Sequence, residues 1–151
     1  SSAIALSAIL YGDLKNYRSN DMIFDLNRFI SFEGDTGPYI LYTYARAKSI
    51  VKKSKINSKK LIVKNISDME KRLVVSLSQF PEIVERAYHS LAPNIIANYA
   101  FQLAQQFNEY YHLSQVIGSD EEIFRCALVS AFCQVMKNAL SLLGIDVLEE
   151  M

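Results

Sequence analysis

Hydrophobic positions along this 151-residue chain recur every three to four residues, with no convincing two-residue alternation. That period belongs to amphipathic helices rather than strands. It appears first in ALSAILYGDL (5–14) and NDMIFDLNRFISF (20–32), the second through Ile23, Leu26, Phe29 and Ile30. Asn20 or Ser19 is a candidate cap for this second helix, and Asp21 suits its first turn. The helix has to stop at the corner Gly34–Pro38, where glycines permit tight geometry and Pro38 pre-sets the first turn of the next element.

From Tyr39 a helix is expected to about Lys53, with Ile40, Tyr44, Ala47 and Val51 on one face and Tyr39, Tyr42, Arg46 and Ile50 near a second. Residues 53–60, KSKINSKK, read as a basic polar linker. Ser67 and Glu70 form a capping-box pair for a helix ending near Gln79. Pro81 opens a short helix to about Ser90, and Pro93 opens a long one. Its stripe is Ile96, Tyr99, Leu103, Phe107, Tyr110 and Val116 or Ile117, up to a cap or hinge at Gly118. Ser119 with Glu122 predicts a second capping box. The last helix is expected to bury Ile123, Phe124, Ala127, Leu128, Ala131, Phe132, Val135, Met136, Ala139, Leu142 and Leu143, then end at Gly144. Apolar stripes on successive helices with short joints predict an all-α, antiparallel helical bundle.

At 50% hydrophobic composition the chain suffices for a metal-independent core, and its length fits one ordinary domain or one domain plus part of a neighbour. No uninterrupted apolar run approaches a membrane span, so no membrane association is expected. The start, SSAIALSAILYGDL, lacks a basic region and a cleavage site, so no secretory signal is expected. Cys126 and Cys133, two helical turns apart at about 10 Å, are beyond disulfide reach. They read as free core thiols in a reducing compartment, and a cytoplasmic location is expected. His89 and His112 have no metal-binding frame beside them.

Charge changes the picture more than composition does. The formal net charge is zero, yet residues 1–73 carry 13 Lys/Arg against 7 Asp/Glu, and residues 74–151 carry 3 against 9. Arg46, Lys48, Lys52, Lys53, Lys55, Lys59, Lys60 and Lys64 fall between Asp35 and Asp68 without one acid. Such a cluster attracts phosphate locally even on a neutral chain. Nine tyrosines and no tryptophan accompany it, with Tyr39, Tyr42 and Tyr44 immediately upstream. Rings beside positive charge suit unpaired, stackable bases, hence an RNA loop rather than a duplex; DNA is not an expected partner. Catalytic patterns are missing: no serine sits in a GxSxG elbow, and GDTG (34–37) lacks the strand and GK[ST] ending of a phosphate loop. Glu149 and Glu150 read as a solvated end.

The chain resembles the C-terminal part of arginyl-tRNA synthetases, class I enzymes. The matching blocks are YGDL (11–14), FDLNRFISFEGDTGPYILYTYAR (24–46), Pro81, LAPNIIANYAFQLAQQFNEYY (91–111) and VMKNALSLLGIDVLEEM (135–151). The resemblance implies the helical anticodon-binding (DALR-type) fold over 39–151, with 1–38 as the tail of the catalytic, tRNA stem-contacting region. The Gly34–Pro38 corner would then set the angle between the two. It further implies that Tyr39, Tyr42, one of Tyr110 and Tyr111, and Met151 surround the anticodon loop. Arg46 is a candidate for loop or phosphate contact, or for a role within its helix. Asn98 and Asn108 are candidates for a base edge, and Lys48, Lys52 and Lys53 for a basic rim. The implied partners are an arginine tRNA and the parent's catalytic body.

ATP, with magnesium, would serve the parent. No cofactor, metal or catalytic residue is expected within these residues, because the histidine-glycine and KMSKS-type signatures are missing. Where arginyl enzymes often carry Asn in an EGNTGPY block, this chain has Asp35, which keeps a short capping side chain. Two rival expectations stand beside this one. The first is a helical adaptor whose tyrosines meet a protein; the second is the anticodon domain of another class I synthetase, such as a cysteinyl or methionyl enzyme.

Overall fold

In the computed structural model, residues 2–54, 63 and 65–150 are described, and all their regular elements are helices. These are α1 (Ser2–Leu14), α2 (Leu26–Phe29), α3 (Gly37–Lys53), α4 (Asp68–Ser78), α5 (Phe80–Ser90), α6 (Asn94–Leu113) and α7 (Glu122–Leu142). The all-α expectation therefore holds. Most of the linker expected at 53–60, and Lys55, Lys59, Lys60 and Lys64 with it, lies outside the described residues.

Helix α6 is the hub, packing on α1, α3, α4, α5 and α7, while α3 is held between α1, α6 and α7. Their shared core contains Tyr11, Ile40, Leu41, Tyr44, Leu73, Leu103, Phe107, Phe132, Met136 and Leu140. Phe107 and Phe132 stack at 4.2 Å between centroids, joining α6 to α7. Both cysteines are free and buried in this core, and burial pushes the Cys133 thiol up to about 11. Helix α7 is long and apolar enough to cross a membrane by length and composition, although Glu122, Arg125 and Lys137 interrupt its apolar run as expected. Half of its most apolar window is nevertheless covered by the bundle. Its stripe is rotated from the expected one: Cys126, Val129, Cys133 and Leu140 are buried, whereas Ala127, Ala131 and Leu142 are exposed.

The expected helix over 20–32 shrinks to the single turn Leu26–Phe29, capped by Asp25 rather than Asn20 or Ser19. Only Phe29 of this turn is buried, and Ile23 is 91% exposed. Short helices need tertiary packing to persist, and here the apolar stripe has little to pack on within the chain.

The Gly34–Pro38 corner is built by Thr36. Its hydroxyl donates to the Ser31 carbonyl at 2.6 Å and accepts from the Tyr39 amide at 3.2 Å, capping α3. Gly34 supplies the left-handed backbone at φ +79°. At Gly37 a Cβ would fall on the Ser7 carbonyl, so the missing side chain lets α1 and α3 touch. Asp35 is not a cap. Its carboxylate accepts from the Tyr11 hydroxyl at 2.6 Å and Lys15 Nζ at 3.1 Å, and Lys15 also reaches its carbonyl at 2.7 Å. The charge at this position thus clasps α1 to the start of α3.

The capping box of α4 forms in both directions, with Glu70 donated to by the Ser67 amide at 2.7 Å. The one expected at α7 does not. Ser119 donates to the Val116 carbonyl, and the Glu122 carboxylate accepts from the Gly118 amide at 2.8 Å instead.

Candidate nucleic-acid interface

Helix α3 carries Tyr39, Tyr42, Thr43 and Arg46 at three- and four-residue steps, which brings them toward one side. Facing them, α6 supplies Asn108 and, three residues on, Tyr111. The Arg46 guanidinium carbon lies 4.8 Å from the Tyr42 ring centroid and 5.1 Å from that of Tyr111. One planar cation thus bridges two rings from different helices, a favourable cation–π arrangement.

Arg46 is held there from below. Its Nη1 donates to Asn108 Oδ1 at 2.8 Å, and Asn108 Nδ2 donates to the Tyr39 hydroxyl and to Thr43 Oγ1, both at 2.9 Å. Thr43 in turn donates to the Tyr39 carbonyl at 2.9 Å. Both amide hydrogens and the carbonyl of Asn108 are therefore engaged inside the protein. Thr43 is fully buried and the network around it is partly buried, a setting where a hydrogen bond counts for more than on the open surface.

Above this network opens a cleft of about 490 Å³, lined by Tyr42, Ala45, Arg46, Ser49, Tyr111, Glu149 and Glu150. Tyr42 also lines a second, more apolar cleft of about 420 Å³ with Ile4, Phe32 and Glu33. The first cleft offers two exposed tyrosine rings, a fixed cation and carboxylate oxygens, a set suited to a planar polar group such as a base.

Tyr42 and Tyr111 are exposed by 43% and 39%, and Tyr111 lies parallel to Phe107 at 6.5 Å. Tyr39 is half-buried, with its ring 5.8 Å from Phe101 and its hydroxyl taken by Asn108. The alternatives Tyr110 and Tyr111 separate cleanly. Tyr110 is completely buried, its hydroxyl has no partner among the described residues, and burial pushes its pKa well above the ordinary tyrosine value. It belongs to the core, not to the cleft. Asn98 is exposed on α6 but does not line either Tyr42 cleft. Met151 lies outside the described residues.

The basic rim is not a free surface. Lys48 lies 3.4 Å from Glu149, and Lys52 lies 3.4 Å from Glu149 and 2.9 Å from Glu150. Lys53 is exposed at the end of α3. Glu149 and Glu150 are exposed, as expected of a solvated end, and in addition they pair with the lysines of α3. Their hydrogen bonds hold Glu149 below the usual carboxylate range and raise Lys52 above the usual lysine value, Lys48 acting first on Glu149 and Glu150 first on Lys52. Sequence reasoning missed Thr43, Phe101 and these two acids. The excess of acids after residue 73, opposite the basic cluster, was the one signal that pointed to them.

Paired tyrosines and a guanidinium at one cleft of a helical domain are a surface suited to unpaired bases. Residues 40–151 match the DALR anticodon binding domain, and the chain belongs to that family. It is 40% identical over 152 residues to an arginine–tRNA ligase of Clostridium botulinum (strain Alaska E43 / Type E3), covering 98% of this chain and 27% of that protein. It is 42% identical over 151 residues to one from Streptococcus agalactiae (serotype Ia), covering 99% and 27%. The Thermus thermophilus arginyl-tRNA synthetase structure superposes with a TM-score of 0.91 at 30% identity, over 99% of this chain and 27% of that one. The chain thus spans about 27% of the length of these relatives.

Proposed function

We propose that this chain recognises the anticodon loop of an arginine tRNA as one part of an arginine–tRNA ligase. The arrangement that carries the reading is the pair of exposed rings, Tyr42 and Tyr111, on either side of the Arg46 guanidinium at the mouth of a cleft. Unpaired bases stack on the rings, Arg46 keeps both rings in place and offers its remaining N–H donors, and Tyr39 supports the floor through Asn108. Lys48, Lys52 and Lys53 face the loop phosphates, and Met151 is a further contact. Tyr110 contributes packing only.

In this reading the arginine is joined to the tRNA elsewhere in the parent, with ATP and magnesium, in the cytoplasm. Residues 1–38 form the junction with that catalytic body and 39–151 the anticodon domain. The exposed apolar side chains Ile23, Phe24, Ile30 and Phe32, the last lining the second Tyr42 cleft, support such a junction.

The test is binding of the 151-residue chain to an arginine tRNA and to the same tRNA with its central anticodon cytosine replaced, at low and moderate salt. Preference for the native anticodon is expected, and Tyr42→Ala should weaken it by roughly 1–3 kcal/mol, the worth of one stacked base. Affinity should also fall steeply with salt. A folded chain that binds neither RNA would sink the reading and favour a protein partner for the rings.

A further inference from the structure

Glu149 and Glu150, which line the Tyr42–Tyr111 cleft, make three ion pairs with Lys48 and Lys52 of α3. The acids are not loose. Ile145, only 3% exposed, and the half-buried Val147 and Leu148 anchor the segment that carries them to the core. The backbone that carries the two carboxylates is thereby kept beside α3. Both acids also line the cleft itself, so they stand where a polyanion entering it would place its charge.

Resting on the reading of this cleft as an RNA site, we propose that Glu149 and Glu150 are a built-in phosphate mimic, a displaceable screen that makes the site select RNA by its unpaired bases. An oxyanion held 2.9 Å from Lys52 occupies the position a phosphate oxygen would take. A polyanion without stackable bases must compete with that internal anion and is repelled by it. A loop that seats a base against Tyr42 and Tyr111 draws part of its affinity from stacking and from Arg46, contacts that leave the ion pairs closed. The screen thus lowers affinity for every polyanion, but it penalises poorly stacked ones most, which is how a repulsive element raises specificity.

The experiment compares the 151-residue chain with its Glu149→Gln/Glu150→Gln variant. Both acids are on the surface, so the variant should fold; circular dichroism checks this. Three probes are titrated at low salt: the anticodon-arm hairpin of an arginine tRNA with its central cytosine, the same hairpin with uracil there, and inorganic polyphosphate. Polyphosphate should bind the variant about three- to tenfold more tightly, both hairpins should gain less, and the preference for hairpin over polyphosphate should narrow.

A Glu82→Gln/Glu85→Gln variant on α5 makes the same change in net charge away from the cleft and should shift none of the three by more than about twofold. Unchanged polyphosphate affinity in the Glu149/Glu150 variant, or an equal gain in the α5 variant, overturns the screen. If wild type prefers the cytosine hairpin but the Glu149/Glu150 variant behaves identically, the screen fails and the RNA reading stands. If neither hairpin binds while polyphosphate binding still rises only in the Glu149/Glu150 variant, the lysine screen stands and the RNA reading fails.

Discussion

Arg46 of α3 and Asn108 of α6, 62 residues apart in sequence, are joined by a 2.8 Å hydrogen bond that fixes the guanidinium between the rings of Tyr42 and Tyr111. Asn108 also receives no freedom from its own amide, because Tyr39 and Thr43 accept both hydrogens. The site is therefore assembled without a ligand. Asn108→Ala would leave Arg46, Tyr39 and Thr43 each short of a partner. A loss of about 1–3 kcal/mol is expected in urea denaturation. Stability within experimental error of wild type would show that the network adds nothing.

Arg46→Lys separates charge from shape. A lysine keeps the positive charge but has no plane to lie between two rings and no fork for Asn108. RNA affinity should fall about tenfold, equivalent to one lost cation–π and hydrogen-bonding cation. Titration of an anticodon-arm hairpin reads this directly. Full affinity in the lysine variant would mean that Arg46 serves only as a charge.

Neighbouring tyrosines should behave oppositely. Tyr110→Phe removes a buried hydroxyl that has no partner among the described residues, so stability should be unchanged or up by about 1 kcal/mol, with RNA binding intact. Tyr111→Ala removes an exposed ring beside Arg46, and hairpin affinity should drop with a smaller effect on stability. Reversed results from thermal melts and titrations would mean that the rings have exchanged roles.

Helix α1 depends on a single missing side chain. In Gly37→Ala the new methyl meets backbone of α1 at Ser7, not a movable side-chain tip, so α1 and α3 must separate. Overpacking of this kind costs about 1–3 kcal/mol. A lowered melting temperature is expected, together with loss of the Tyr11–Asp35 contact, observable as a changed Tyr11 environment by NMR.

Acid should loosen the α4–α7 contact. Glu70 is almost completely buried; that burial pushes its pKa up, but bonds from the Ser67 amide, the Ser67 cap and Arg125, at 2.8 Å, outweigh it and leave the pKa lowered. A depressed folded-state pKa means that the stabilisation is complete above the unfolded value, about 4.3, and is lost as pH falls through the lower folded value. Glu70→Gln should therefore cost about 1–3 kcal/mol at neutral pH. The gap between the two proteins should close on acidification below about pH 4, as followed by denaturation at several pH values.

Sequence alone determined the features that act within a turn or two of chain. The Ser67–Glu70 box, the prolines at 38, 81 and 93, and the long periodic stripes specify where α3 through α7 run, because caps, fixed backbone angles and helical period need only near neighbours. The same locality misled at residues 20–32, where a good apolar period found little to pack against and only Leu26–Phe29 is helical. Tyrosines beside lysines already pointed to a ring-and-charge site.

Only the tertiary structure decided which rings and which charges belong to it. Tyr110 and Tyr111 are adjacent in sequence but about 100° apart around a helix, so the packing of α6 on α7 buries one and leaves the other out. Asn108, Thr43 and Arg46 become one network, Asp35 becomes a clasp for α1 rather than a cap, and Glu149 and Glu150 become the lysines' partners. Each of these assignments depends on contacts between residues far apart in the chain, and local propensity carries no information about them.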